Sequence, residues 1–340
     1  MGQSQDNRQA SALLEGQVVK LDRGFPLVKL ADGRSIRCEH ATELVKEAGV
    51  RAVIGDWVDI DCPDGHDMGI IAGIRQRDNQ LVRKDPSERA IAQVLAANFD
   101  IVMVAQPLAQ VSVKRLEREL VLAFETGAQV VVVLTKADLA EDESDVERIR
   151  QEVGARVGHD VATLVVSDQD PQSVEAVRKL LAPNKMAVLV GRSGVGKSSL
   201  INLLVGRQVQ ETGAVREGDG KGRHTTVSRE IVEVPGGGRV VDMPGVRGLG
   251  VWEAEAGIGA AFADVEEYAA QCRFRDCTHH GEPGCAVRQA VEEGLLSPQR
   301  LESYLALHQE VGQMRQRKEQ ARRKRGEKHS DTKKSKQKRR

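Results

Sequence analysis

Aromatic side chains are scarce: 2 Trp, 2 Tyr and 5 Phe make up 3% of the 340 residues. Base stacking cannot be a widespread binding device here. In the first eighty residues Phe25 and Trp57 are the only candidates for it. Cysteine is sparse as well. The five present (Cys38, Cys62, Cys272, Cys277, Cys285) are too few for a disulfide framework at this size. No apolar run approaches the ~20 residues that cross a bilayer. The polar N-terminus lacks a signal-peptide core, and Asp6 stands where an acylation signal wants Ser or Thr. The expected compartment is the cytoplasm, with no membrane partner. Net charge is also absent, 50 Lys/Arg against 50 Asp/Glu, but the balance hides a split. Residues 313–340 hold 14 Lys/Arg and 3 Asp/Glu, leaving 36 against 47 elsewhere. A basic arm on an acidic body points to a polyanionic partner.

What is present divides the chain into five parts. Residues 1–11 are polar and read as a disordered N-terminus. Residues 12–88 have an all-β texture of short apolar runs between Gly/Asp turns, such as Leu27–Leu30, Asp32-Gly33 and Trp57–Ile60. Five short strands in that length suit an OB-type β-barrel. Leu81 to Asn98 reads as a connector. Residues 89–250 alternate strand and helix, with a near-continuous valine run at Gln129–Leu134 of the kind buried on both faces. This is a doubly wound α/β domain. Residues 251–312 are helical and polar and contain the cysteine cluster. Residues 313–340 are a basic tail with too little apolar surface to fold alone.

The chemistry centres on Gly191-Arg192-Ser193-Gly194-Val195-Gly196-Lys197-Ser198-Ser199, which fits Gly-x4-Gly-Lys-[Ser/Thr]. A predicted strand, Met186–Val190, precedes it and a predicted helix, Ser199–Gly206, follows. In that setting the backbone N–H groups and the helix N-terminus cradle a phosphate chain. Lys197 reaches the β- and γ-phosphates and Ser198 holds Mg²⁺. Thr135-Lys136-Ala137-Asp138 ends the valine strand, where ligands of an open α/β sheet lie. The Asp138 carboxylate there can accept both donors of the guanine edge, which adenine lacks. The usual pattern is Asn-Lys-x-Asp, and Thr135 replaces the Asn. Ser167, at the next strand end, offers backbone to the guanine oxygen.

Asp242-Met243-Pro244-Gly245 fits Asp-x-x-Gly: Asp242 for Mg²⁺, the Gly245 N–H for the γ-phosphate. Between them lies the Gly-rich stretch Gly220 to Thr226. Thr225 or Thr226, preferentially Thr226, would close the Mg²⁺ shell. The position after Gly245 is Val246, where Ras-like proteins carry a water-orienting Gln. His224 is the nearest candidate for that task; packing the loop or binding a phosphate is its other reading. The guanine motifs precede the phosphate loop, so the order is that of a circular permutation. Cys272-x4-Cys277-x-His279-x5-Cys285 offers three thiolates and an imidazole, a closed set for one structural Zn²⁺, with His280 as an alternative fourth ligand.

Together these residues resemble the circularly permuted GTPases called ribosome small subunit-dependent GTPase A. The likeness covers about residues 16–310. It rests on Gly191–Ser199, the permuted Thr135–Asp138, Gly222–Thr226, Asp242–Gly245 and the cysteine set with Glu282-Pro283-Gly284. It implies an OB-fold domain, a permuted GTPase domain and a zinc domain. It also implies a GTP-hydrolysing factor that docks on the small ribosomal subunit late in its maturation, contacts rRNA near the decoding region, and binds GTP/GDP with Mg²⁺. A monomer is expected. The alternative is a nucleotide-gated rRNA-binding scaffold in which hydrolysis is incidental.

Overall fold

Alternation of apolar and polar residues builds the first unit. It comprises β1 (Leu14–Asp22), β2 (Phe25–Leu30), β3 (Ser35–His40), a short helix α1 (Thr42–Lys46), β4 (Trp57–Asp61) and β5 (Gly69–Ile74). Val18, Val28, Leu30, Cys38, Val58, Ile60 and Ile71 point inward and are buried. β1 pairs with both β2 and β4, β2 with β3, β3 with β5 and β5 with β4, so the sheet closes on itself as the expected five-stranded barrel. The computed structural model describes residues 13–22, 25–46, 49–84, 92–157, 161–181, 183–210, 229–243 and 254–337. In the last helix, side chains are described as far as Gln320 apart from Lys318.

The stretch read as a connector is a hairpin, β6 (Gln80–Lys84) against β7 (Ala92–Ala97). The boundary expected at 88/89 falls between its strands. Asp56, fully buried, ties the barrel to this hairpin's base through a paired ion bond with Arg77 at 2.7 and 2.8 Å.

The α/β domain follows as β8 (Ile101–Pro107), α2 (Val113–Phe124), β9 (Gln129–Thr135), α3 (Glu143–Val157), β10 (Ala162–Val165), α4 (Pro171–Leu180), β11 (Met186–Val190), α5 (Lys197–Val205), β12 (Arg229–Val234) and β13 (Gly238–Asp242). The strand order is β10-β9-β8-β11-β13-β12. All are parallel except β12, the expected hairpin partner of β13. Both faces are covered. Ile101 and Met103 of β8 meet Leu200 and Leu204 of α5 on one side. Val102 and Val104 meet Leu116 and Leu120 of α2 on the other. The strand leading into the phosphate loop, β11, is central, yet the guanine-side strands β8 to β10 precede it in the chain. The permuted order is thus built into the sheet.

Two features were not expected. β12 also pairs with β1 of the barrel, at Lys20↔Glu230 and Leu21↔Arg229, so barrel and α/β sheet form one eleven-stranded sheet. Lys20–Glu230 and Lys29–Glu233, each 2.6 Å, flank the junction. Secondly, the last unit, α6 (Glu255–Ala261), α7 (Ala263–Ala269), α8 (Ala286–Glu292) and α9 (Pro298–Gln337), has no separate core. Its Phe262, Val265, Tyr304, Leu307 and Val311 join α2 in one continuous cluster. Gly257 lies so close to α2 that a β-carbon would stand 2.1 Å from the Val121 carbonyl oxygen.

The tail is a correction to the disordered reading of residues 313–340: α9 runs on to Gln337, 40 residues or about 60 Å. Nucleation is the costly step of helix formation, and the packed first turns supply it. Arg, Lys, Gln and Glu, all good helix formers, then propagate it without further packing.

Candidate functional site

The C-terminal ends of the parallel strands bring the expected residues to one edge of the sheet. β11 delivers the phosphate loop. Gly191 (φ 145°) and Gly196 (φ 101°) take conformations reserved for glycine. A side chain on Gly191 would meet the Ala105 carbonyl oxygen at 2.6 Å, because β8 runs directly behind the loop. Arg192, Ser193 and Gly194 are exposed, Val195 is buried, and Ser199 faces outward on the first turn of α5. Lys197 is buried, and its ammonium folds back to donate to the carbonyls of Gly191 (2.9 Å) and Arg192 (3.1 Å). Burial pulls its pKa down, while Asp242 and Glu119 act in the opposite direction.

Asp242, at the end of β13, accepts a hydrogen bond from the Ser198 hydroxyl at 3.2 Å through Oδ2. Its Oδ1 is buried with no partner among the described residues. Burial raises this carboxyl above its ordinary range, against the pull of Lys197 and Ser198. A hydroxyl and an orphaned carboxylate oxygen facing one cradle make a donor set that can hold a hard cation.

At the end of β9, Thr135 is buried, and its hydroxyl bridges the carbonyls of Gln106 (3.2 Å) and Val195. The Thr thus ties the strand end to the phosphate loop. Lys136 takes a left-handed turn (φ 58°), which starts a 3-10 turn over Ala137–Leu139. The Ala137 N–H donates to the carbonyl of Val166 at 3.2 Å, joining this turn to the end of β10. Ser167 sits there, its N–H donating to Ser173 Oγ at 3.2 Å. The half-buried Asp138 carboxylate makes no hydrogen bond among the described residues and is available to a ligand. His224, Thr225, Thr226 and Gly245 lie outside the described residues.

A second cluster lies in the helical unit. The ligand atoms of Cys272, Cys277, His279 and Cys285 all lie within 4.8 Å of one another, and the set can hold a metal ion. His279 Nδ1 stands 3.6 Å from Cys272 Sγ and 3.4 Å from Cys285 Sγ. Burial lowers its pKa and favours the neutral, ligating imidazole. His280, by contrast, is exposed and turned to the Thr278 carbonyl at 2.7 Å, so His279 completes the set. Glu282 shapes this loop: its carboxylate accepts from the Thr278 hydroxyl and from the N–H groups of Thr278, His280 and Gly281.

Sequence reasoning missed three buried charges. Glu119 accepts from Gln106 Nε2 at 2.6 Å beneath the phosphate loop. Glu117, two residues earlier and so on the opposite side of α2, meets Arg300 Nη1 at 2.9 Å. No local pattern announces them. The two glutamates lie on α2, a helix buried from two sides, and Arg300 reaches Glu117 from α9; only the packing of the helical unit creates this setting.

Residues 74–252 match the model of a family described as RsgA GTPase. The small ribosomal subunit biogenesis GTPase RsgA of Streptomyces avermitilis is 41% identical over 302 residues, 88% of this chain and 80% of that protein. The chain belongs to the RsgA GTPase family. A family member from Xanthomonas campestris pv. campestris is 42% identical over 262 residues, covering 77% of this chain and 70% of its own. Two solved structures share the architecture. YjeQ from Thermotoga maritima matches with a TM-score of 0.64 at 27% identity, covering 88% of this chain and 98% of its own. YloQ, described as a circularly permuted GTPase, matches at 0.61 and 26%, covering 90% and 97%. The barrel, permuted α/β domain and cysteine-bearing helices of this chain are therefore the RsgA-family arrangement.

Proposed function

We propose that this chain hydrolyses GTP as an assembly factor of the small ribosomal subunit, and that the subunit switches the hydrolysis on. The observation that carries this reading is the convergence on one sheet edge of Lys197, the Ser198–Asp242 pair with its orphaned oxygen, Thr135 and Asp138, whose carboxylate has no hydrogen bond among the described residues. Phosphates bind the loop of Gly191 to Ser199, and Lys197 exchanges its two carbonyl partners for phosphate oxygens. Asp138 accepts the guanine donors, Lys136 and Ala137 line the base, and Ser167 offers backbone to the guanine oxygen. A Mg²⁺ ion held by Ser198 and Asp242, with Thr225 or Thr226, would neutralise charge developing on the phosphates. Gly245 senses the γ-phosphate. His224 orients the attacking water, a task for which Val246 has no suitable group.

The cysteine set suits one structural Zn²⁺. A tetrahedron with Zn–S bonds of about 2.3 Å has edges of about 3.8 Å, and Cys272 Sγ and Cys285 Sγ are 3.9 Å apart. Three thiolates and an imidazole leave no open ligand position, so the role is to hold the Cys272–Cys285 loop.

The partner is the small subunit named in the relatives' descriptions. Phe25 and Trp57, 45% and 40% exposed on the barrel, are available for stacking on rRNA bases. The basic second half of α9 adds phosphate contacts that do not depend on sequence. We place the protein in the cytoplasm as a monomer; among the described residues no helix is long and apolar enough to cross a membrane.

The deciding experiment is GTP turnover titrated with purified small subunits. Stimulation of at least about tenfold is expected, toward the range that a trans-acting activator provides, and His224→Ala should abolish most of it while still binding GTP. Turnover that the subunit leaves unchanged would replace this reading with that of a nucleotide-gated scaffold.

A further inference from the structure

Glu119 is a buried acid beside the phosphate loop to which the mechanism above gives no task. It is 3% exposed, and among the described residues its one hydrogen bond comes from the Gln106 side chain at 2.6 Å. Gln106 is itself 2% exposed, and its carbonyl receives the Thr135 hydroxyl that also reaches the loop at Val195. Glu119 thus stands at the back of the loop, one hydrogen bond from the strand behind it.

The charged groups that face Glu119 are Arg115, one turn earlier on α2, and Lys197, at the head of α5. From β8 comes only the neutral Gln106 amide. Burial pushes the Glu119 carboxyl up to about 7, against the opposing pull of Gln106, Arg115 and Lys197. Lys197 is buried too, and the carboxylates whose charge favours its ammonium are Asp242 and Glu119. In the empty loop a desolvated ammonium is therefore balanced by two acids. A nucleotide changes this balance. Its phosphates take over Lys197, and an ionised Glu119 then faces added negative charge in a poorly solvated setting, which favours its neutral form.

We propose that Glu119 is a positioning residue: it holds Lys197 in the empty phosphate loop and gives up its own charge when a guanine nucleotide enters, taking one proton from solvent. The inference rests on the nucleotide-site reading given above. The neutral acid still accepts from Gln106 through its carbonyl oxygen, so the loop keeps its support while the repulsion is removed. Nucleotide affinity then falls as pH rises through the neutral range, because more of the empty protein must first gain the proton.

The test compares GDP binding by full-length wild type and Glu119→Gln, by calorimetry in buffers of different ionisation heat. Above neutrality GDP is itself fully ionised. The amide mimics the neutral acid, so the two proteins should agree within about twofold at pH 6. At pH 8.5 the variant should bind about tenfold more tightly, the equivalent of one pKa unit, and take up less proton per GDP. Removing the Glu119 charge lowers the Lys197 pKa further, so any proton gained by Lys197 is larger in the variant and works against the expected difference. An affinity ratio that stays constant from pH 6 to 8.5 overturns the proposal. Wild type that binds no GDP overturns the site reading, and this inference with it. Should Glu119→Gln fail to fold, infrared difference spectra of wild type at pH 8 decide: a new protonated-carboxyl band on GDP addition supports the proposal, and its absence overturns it.

Discussion

Replacing Arg300 tests how the helices that carry the cysteine set are held to the GTPase domain. Arg300 is 4% exposed and lies on α9. It donates to Glu117 Oε1 at 2.9 Å, to both oxygens of Asp264 at 3.0 and 2.8 Å, and to the Ala261 carbonyl at 2.6 Å. Its guanidinium also sits 4.1 Å from the centre of the Phe262 ring. Glu117 has little other support: Oε2 has no partner among the described residues, and Arg156 stands 3.9 Å from Oε1, beyond hydrogen-bonding distance. Arg300→Met keeps most of the packing but leaves the buried carboxylate with Arg156, 3.9 Å away, in place of its hydrogen-bonded cation, which costs about 3 kcal/mol, the low end for a broken buried pair. That is a large share of the ~5–15 kcal/mol that stabilises a typical domain. The loss should be local, loosening α6 and α9 against α2. Hydrogen exchange read by mass spectrometry should show faster exchange in 255–261 and 298–311, with the barrel unchanged. The double variant Glu117→Leu/Arg300→Met removes both charges and should recover at least about 2 kcal/mol of the loss, since a buried pair is often replaceable by apolar groups. Wild-type protection in Arg300→Met, or a double variant as loose as the single one, would refute the reasoning.

Three further outcomes are expected. Thr135→Val removes the hydroxyl that ties β9 to the phosphate loop; GDP affinity should fall about five- to thirtyfold, or about 1–2 kcal/mol, and an unchanged dissociation constant would free Thr135 of that role. Asp138→Asn replaces an acceptor with a donor, so GTP should bind less tightly and xanthosine triphosphate better; unchanged GTP affinity would remove Asp138 from the site. Cys285→Ser should abolish stoichiometric zinc, measured by elemental analysis, and loosen α6 to α9 together with the face of α2 they cover; wild type purified without metal would defeat the assignment.

How far the sequence reveals this molecule depends on the range over which each signal acts. The phosphate loop, the Thr135–Asp138 turn and the cysteine spacing are local, and their order alone discloses the permutation. The valines of β9 are legible because a strand buried on both faces has no polar residue to interrupt it. Gln80–Ala97 is not legible as a hairpin, because its strands are short and no tight-turn dipeptide joins them. The helical course of 313–337 was missed because charge argued against folding, whereas continuity with packed turns overrides it. Glu117 and Glu119 look like ordinary polar positions of an amphipathic helix. They become buried only because two structures, remote in sequence, close on opposite sides of α2.

The pairing of β12 with β1 bears on aggregation and on how such a chain can be taken apart. In an open sheet β12 would be an outer strand, offering unpaired N–H and C=O groups to any passing chain. Here the barrel covers that side, so the N-terminal unit shields its neighbour as well as presenting a surface of its own. The opposite margin ends in β10, only four residues long, a length that offers little to pair with. Dividing the chain between barrel and GTPase domain would bare two complementary edges at once, one on each fragment. Each fragment would then expose the strand surface that its counterpart now satisfies, and the fragments would be prone to pair with one another or with copies of themselves.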